Sequence, residues 1–263
     1  MGEGGSMKAV FVEEKTIDST WYSLLEKINQ FGNINKIDSG SYQGSKRLEF
    51  NYVSGVIQYP TTRPLSPILP EGIPPVTTDV DIENYFVNYL MDGSLSLGEH
   101  YKYATWITGG GYKVPSLRMV NEEGERGDGQ WVVVPNQIQW CIDHYKEKGF
   151  GNNHCYIQVG YPESNMAYDI PYKEETERGT SPCLRGIDTH IVKDKDEYYL
   201  NFHIYFRSWD LWGAFPVNIG GIVMLQEYMA NELGVKVGIL AFSSLKLHCY
   251  DFQLDVVRDR LGK

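Results

Sequence analysis

Apolar residues recur along this chain with two periods. Apolar positions in the segment Ala9 to Val12 predict a short strand, and Trp21, Leu24, Leu25 and Ile28 then repeat at helical spacing. Residues 39–50, rich in Gly, Ser, Lys and Arg, read as a loop. The proline-rich stretch YPTTRPLSPILPEGIPP cannot donate regularly to a ladder and reads as a stiff extended connector lying against the body of one domain. Asp79 to Met91 predicts a helix capped by Asp79 or Asp81, with Ile82, Tyr85, Phe86, Tyr89 and Leu90 on one face. A glycine-rich loop is expected over 108–129. Gln130 to Lys148 reads as a helix with Trp131, Val134, Ile138 and Ile142 in one stripe, followed by a short strand from Tyr156 to Val159. Residues 160–181 read as polar and irregular.

The last third has the sharpest patterning. Leu184 to Val192 reads as a strand and Asp194 to Asp196 as a turn. From Tyr198 to Phe206 the alternation is clean: Tyr198, Leu200, Phe202, Ile204 and Phe206 point one way, and Tyr199, Asn201, His203, Tyr205 and Arg207 the other. The first set is core; the second suits an interface or a ligand floor. A helix follows from Asn218 to Leu233, with Ile219, Ile222, Val223, Met229 and Leu233 as its apolar stripe and Gly234 at its end. Val237 to Phe242 and Leu247 to Phe252 predict two more strands.

Composition adds limits. The chain has 263 residues, 42% of them apolar, enough to build a full core. A formal net charge of -10 argues against a nonspecific binder of nucleic-acid polymers, yet a few local arginines can still hold a small anion. The four cysteines, Cys141, Cys155, Cys183 and Cys249, form no C-x-x-C pair and read as free thiols in a reducing cytoplasm. No apolar run approaches a membrane span, and no signal peptide is visible. MGEGGS ahead of Met7 reads as an expression remnant, which leaves 7–263 as the expected domain.

Three stretches carry candidate chemistry: SPCLRGIDTHIV, FRSWDLWGAFPVNIGGIVMLQEYMA and LKLHCYD. Taken singly, their residues have plainer readings: a buried cysteine as filler, Asn218 as a helix cap, Asp210 as a turn residue, and Tyr101 and Tyr250 as core aromatics. Their order and spacing say more. Pro182-Cys183, then Arg207-Ser208-Trp209-Asp210, then Pro216-Val217-Asn218-Ile219, then His248-Cys249-Tyr250, together resemble the thymidylate synthase family. Weaker echoes are GIPPVTT at 72–78 and Leu97-Gly98-x-x-Tyr101. The wording WDLWGAFP is similar to the archaeal-type branch.

The resemblance implies a single α+β domain with a bent mixed sheet flanked by helices, paired back to back into a homodimer. It implies reductive methylation of dUMP to dTMP with 5,10-methylenetetrahydrofolate as co-substrate and no metal. Cys183 would add to C6 of the pyrimidine so that C5 becomes nucleophilic. A thiol needs a neighbouring cation to ionise, and Arg207 beside it would serve both thiolate and phosphate. Ser208 would add a donor, Asn218 would read the pyrimidine edge, and His248 and Tyr250 would bind ribose. Asp210 would bind the pterin, and Tyr101 would help move the C5 proton.

The chain departs from the family at three places. The family's Arg-Arg pair is replaced by Asn152-Asn153-His154, so Arg47, Lys46, Arg63 and Arg185 become candidates for the phosphate. The mobile Asp-Arg-Thr-Gly loop is replaced by Asp38-Ser39-Gly40-Ser41, with Arg47 as a substitute. The expected helix glutamate is replaced by Asn88, with Glu83 over a turn away. The rival functions are a dUMP or CMP/dCMP hydroxymethylase on the same fold, and a nucleotide-binding homologue without catalysis. An unrelated cysteine hydrolase is a third. Asn218 favours uracil, since cytosine-specific members of the family tend to carry aspartate there.

Overall fold

The computed structural model describes residues 8–38, 42–94, 102–109, 113–115, 131–160 and 181–262. Among these, a six-stranded sheet runs in the order β1-β4-β11-β9-β8-β7. Its strands are β1 (Ala9–Glu14), β4 (Tyr52–Ile57), β7 (Tyr156–Gln158), β8 (Leu184–Asp194), β9 (Glu197–Phe206) and β11 (Lys236–Ser244). β1 runs parallel to β4 and β11 parallel to β9, while the other pairings are antiparallel, so the sheet is mixed. A second sheet, β10-β12-β3-β2, joins β10 (Trp209–Asp210), β12 (Leu247–Tyr250), β3 (Lys46–Glu49) and β2 (Asn33–Lys36). A two-stranded ribbon pairs β5 (Lys113–Pro115) with β6 (Trp131–Val133).

Two irregularities bend the large sheet where the candidate residues lie. The register of β8 on β9 steps from Leu184↔Phe206 to Gly186↔Tyr205, which leaves Arg185 as an extra residue. The register of β11 on β9 shifts between Val237 and Leu240. Bulges of this kind leave backbone groups off the ladder, and side chains then satisfy them. Asn201 Oδ1 accepts from Ile239 N at 2.9 Å, and the fully buried Gln226 donates to the Leu200 and Ile239 carbonyls at 2.8 and 3.1 Å.

The helices are α1 (Ile17–Phe31), α2 (Asp79–Tyr85), α3 (Ala104–Ile107), α4 (Gln137–Lys148), α5 (Phe215–Leu233) and α6 (Leu254–Arg260). Of these, α5 is central: it packs against β9, β11, α1, α2 and α4. The sequence predicts one apolar stripe on this helix, yet Phe215, Pro216, Asn218 to Val223, Leu225, Gln226, Met229 and Ala230 are all buried, because neighbours cover it on several sides. It also begins three residues earlier than expected, with a proline in its first turn, where the missing N–H costs nothing.

Other expectations are corrected by local chemistry. The cap of α2 is Thr78, whose hydroxyl accepts from Asp81 N while Asp81 reaches back to Thr78 N: a capping box rather than an aspartate cap. The predicted single helix to Met91 changes after Tyr85 into a π-helical segment, Phe86–Met91. Residues 39–50 are not all loop, since β3 forms there and pairs with β12. Trp131 begins a strand and α4 starts only at Gln137, behind an Asn136 cap. The expected irregular stretch 161–180, most of the 108–129 loop and residues 1–6 lie outside the described residues.

Among the described residues, the opposite face of the large sheet is left uncovered. Phe11 and Tyr52 are exposed there, and the β9 positions Tyr199, Asn201, His203 and Tyr205 are half-buried or exposed, as the alternation predicts; Tyr198, expected on the core face, is instead exposed, because it stands beside the turn at the start of the strand, with Lys193 over its ring.

Gly220 and Gly221 set the closeness of α5 to α2. A Cβ on Gly221 would come within 2.4 Å of the Tyr85 ring, and one on Gly220 within 2.8 Å of Ile82. Alanine gains roughly 1 kcal/mol of helix propensity over glycine, but overpacking costs about 1–3 kcal/mol. Gly221→Val, which adds bulk without that propensity, is expected to lower stability by about 2 kcal/mol or more in urea denaturation. An unchanged midpoint would mean that α2 is free to move away.

Candidate active site

The site forms where the ends of β8 and β9 meet the second sheet. Cys183 precedes β8 and Arg207 follows β9, and Arg207 N donates to Cys183 O at 2.9 Å, which continues the ladder by one rung. The Arg207 side chain closes the same junction. Its Nε donates to Pro182 O at 3.0 Å and its Nη2 to Ser181 O at 2.6 Å. The chain ahead of the cysteine is thereby held by a charged fork. Cys183 is half-buried, while Cys141, Cys155 and Cys249 are buried. Burial pushes the Cys183 thiol up; the charges of Arg207 and then Arg185 pull it down.

Arg185 reaches this place because of its bulge. Its charge is disfavoured by burial and by Arg207, and it senses Tyr156, Cys183 and Tyr205. Its Nη1 is buried with no hydrogen-bond partner among the described residues. Tyr156 lies over the neighbouring Gly186, where a Cβ would fall 1.8 Å from the phenol oxygen, so only glycine fits beside the bulge.

The second sheet brings three more residues. The register of β12 on β3 sets His248 opposite Glu49 and Tyr250 opposite Arg47. β10 runs beside β12, with Asp210 opposite His248. His248 Nδ1 lies 2.9 Å from Lys246 O; a carbonyl only accepts, so Nδ1 carries the proton and Nε2 is an acceptor. That Nε2 is buried and has no partner among the described residues. Burial holds the His248 imidazole below its ordinary range, and therefore neutral, with a smaller contribution from Arg47. The Tyr250 phenol is pushed up by burial, then by Asp210, Tyr42 and Cys183, with Arg47 opposing. Arg47 pairs with Glu49 at 2.6 Å.

Asp210 is oriented by its own turn. Oδ1 accepts from Trp212 N at 3.0 Å and Gly213 N at 3.2 Å, and Oδ2 accepts from Gln253 Nε2 at 3.1 Å. Asn218, nearly buried in the first turns of α5, accepts at Oδ1 from Trp209 Nε1 at 3.0 Å. An indole N–H only donates, so the oxygen of Asn218 faces it and the amide nitrogen is left for another acceptor. Trp209 is itself held by stacking on Phe206, with ring centres 4.0 Å apart.

Residues 161–263 match the family model for thymidylate synthase. The chain is 25% identical over 252 residues to the protein named "Putative thymidylate synthase" of Methanosarcina barkeri, covering 94% of this chain and 93% of that one. The same figures hold for the Methanosarcina acetivorans protein of that name. With its Methanosarcina mazei counterpart the match is 28% over 131 residues, about half of each chain at 49% and 52%. Among solved structures, a thermostable thymidylate synthase A from Bacillus subtilis superposes with a TM-score of 0.58 at 16% identity, covering 94% of this chain and 84% of that one. The fold is that of thymidylate synthase.

On this thymidylate synthase fold, Cys183, Arg207, Arg185, Asp210, His248, Tyr250 and Arg47 are drawn into one neighbourhood, and Asn218 joins it through Trp209. Ser208 is half-buried in the bend between β9 and β10. Lys46 is exposed on β3, and Arg63 pairs elsewhere, with Glu227 at 2.7 Å. Glu83 and Asn88 are exposed on the α2 and π-helical segment. Tyr101 and the Leu97-Gly98 pair before it lie outside the described residues.

Two residues escape the motif reading. Tyr103, two positions after Tyr101, accepts at its hydroxyl from Leu184 N at 3.2 Å, beside the cysteine; the repeated tyrosine in YKY is its only sequence signal. Gln253 takes Tyr250 N at 2.8 Å on one side of its amide and Asp210 on the other, so it fixes both.

The sign of the electrostatics gives a test. Cations beside the thiol favour thiolate, so removing one raises the thiol pKa further. In Arg185→Gln the pH midpoint of Cys183 alkylation by iodoacetamide, followed by mass spectrometry, should move to the alkaline side of wild type. An acid shift, or none, would mean that Arg185 does not act on the sulfur.

Proposed function

We propose that this protein is an enzyme of one-carbon transfer to C5 of a pyrimidine nucleotide, and that the reaction is reductive methylation of dUMP to dTMP. The observation that carries this reading is a half-buried cysteine that feels the charge of two guanidinium groups, one of which keeps a buried Nη1 without a partner among the described residues. Such a cysteine is suited to nucleophilic attack beside an anion.

In the proposed reaction the Cys183 thiolate adds to C6, and the electrons of the C5–C6 double bond move to O4. The amide nitrogen of Asn218 donates to that oxygen where charge develops. C5 takes up the one-carbon unit; loss of the C5 proton expels the folate nitrogen from that carbon, and hydride addition to the resulting methylene then re-forms the C5–C6 double bond as sulfur leaves C6. When bound, 5,10-methylenetetrahydrofolate supplies the carbon and the hydride. Asp210, a half-buried carboxylate with both oxygens already fixed, fits the N–H groups of a pterin. The proton-moving role of Tyr101 rests on resemblance alone.

The phosphate is assigned to Arg185 and Arg47 together with Arg207, whose Nε and Nη2 already hold backbone carbonyls. Ser208 is assigned a donor role there. His248, with its acceptor Nε2, and Tyr250 are assigned to the ribose hydroxyls. The open sheet face bearing Phe11, Tyr52 and His203 supports pairing of two copies into a homodimer. Among the described residues no helix is long and apolar enough to cross a membrane.

Cys183→Ser should lower tritium release from C5-labelled dUMP by on the order of a thousandfold or more while dUMP binding persists. Unchanged release would refute the mechanism; absence of release by the wild type, with dUMP bound, would favour a binding protein without catalysis. Product analysis separates dTMP from hydroxymethyl-dUMP. Asn218→Asp places an acceptor where O4 needs a donor, so dUMP turnover should fall by roughly a hundredfold or more relative to that of dCMP, measured as the ratio of kcat/KM values.

A further inference from the structure

Outside this site, two imidazoles face each other at the end of α4. His154 Nδ1 lies 3.4 Å from His144 Nε2, with ring centres 5.5 Å apart and planes at 58°. We infer that His144 and His154 form a binding site for a divalent transition-metal ion of the zinc or copper class. On its own the pair makes a long hydrogen bond, one ring nitrogen donating and the other accepting according to tautomer. The same spacing suits a shared metal, which would replace the bridging proton. Two nitrogens each about 2.05 Å from a tetrahedral ion stand about 3.3 Å apart, and their ring centres roughly 5 Å apart.

Both ligands are held before any ion arrives. Trp140, one turn before His144, stacks on its ring at 4.8 Å and 17°. Gly149 ends α4 with a positive φ of 85°, and its N–H returns to Tyr145 O. In the loop that follows, Asn152 donates to Gly149 O at 2.6 Å and accepts from His154 N at 3.2 Å. The two histidines thus come from a helix and from an ordered loop, as in a chelate that joins two elements. Such preorganisation limits the entropy lost on binding.

The donor set fixes the class of ion. Two neutral imidazole nitrogens suit zinc, copper or nickel and not calcium or magnesium. No cluster of three or more His, Cys, Asp or Glu ligands occurs among the described residues, so water or a carboxylate from outside the pair would complete the coordination. Glu147 is one such carboxylate: it pairs with Lys148, and its carboxyl is held low chiefly by Lys148 and in smaller part by His144. Bound metal would tie the last turn of α4 to the loop entering β7, the edge strand that carries Tyr156 against the Arg185 bulge.

Calorimetric titration of the full chain with Zn2+ tests the site. Wild type should bind one equivalent in the micromolar range, and the ion should raise the thermal unfolding midpoint. His144→Gln and His154→Gln, both surface changes, should each weaken binding about tenfold or more and abolish that rise. Cu2+ should quench the indole fluorescence of wild type more than that of Trp140→Phe. Saturable binding that survives in His154→Gln would place the ion elsewhere and overturn the assignment, as would no saturable binding by wild type at millimolar Zn2+. Nucleotide turnover is not part of the readout, so its presence or absence leaves the result unaffected.

Discussion

The architecture around the site depends on one interaction: the guanidinium of Arg207 closed on the carbonyls of Ser181 and Pro182. Two charge-assisted hydrogen bonds there hold a segment that has left the sheet, and they fix where the next residue, Cys183, stands. The same positive group opposes the burial that would otherwise keep the thiol protonated. Position and reactivity of the sulfur therefore share one cause. A lysine could supply the charge but not the planar fork.

The remaining parts follow from how two sheets meet at this corner. The strand ends of the large sheet present Cys183, Arg185 and Arg207, while the parallel run of β10 beside β12 presents Asp210 and His248 side by side. α5 fills the space beneath, and its glycine pair lets α2 approach. Part of the aromatic load serves here as rigid packing: Trp209 stacks on Phe206 and leans on Phe215, with ring centres 4.6 Å apart in the latter pair.

Much of this is legible in the sequence wherever period and burial coincide. The alternation from Tyr198 to Phe206 identifies β9 and both of its faces, because one face is core and the other is open. The apolar repeat of α1 is equally plain. The reading falters where tertiary contacts override local pattern. β3 looks like loop because its Lys and Arg side chains are polar, and only pairing with β12 makes it a strand. α5 looks amphipathic but is wrapped. The motif residues separate similarly. The order of Cys183, Arg207, Asp210, Asn218 and His248 suggests one candidate site, yet the bulge that carries Arg185 towards Cys183 is one that no periodicity reveals. Gln253 and Tyr103 act through single hydrogen bonds that leave no pattern.

The indole of Trp209 has a consequence for selectivity between bases. A terminal amide can turn end for end at little cost in shape, offering its oxygen or its nitrogen to the same spot. Here the turn is blocked, because an indole N–H tolerates only oxygen opposite it. On the proposed reading, discrimination between keto and amino pyrimidines is therefore shared by two side chains, one of which need never touch the base. A chain that kept Asn218 but replaced the tryptophan with phenylalanine would retain the recognising group and lose its polarity.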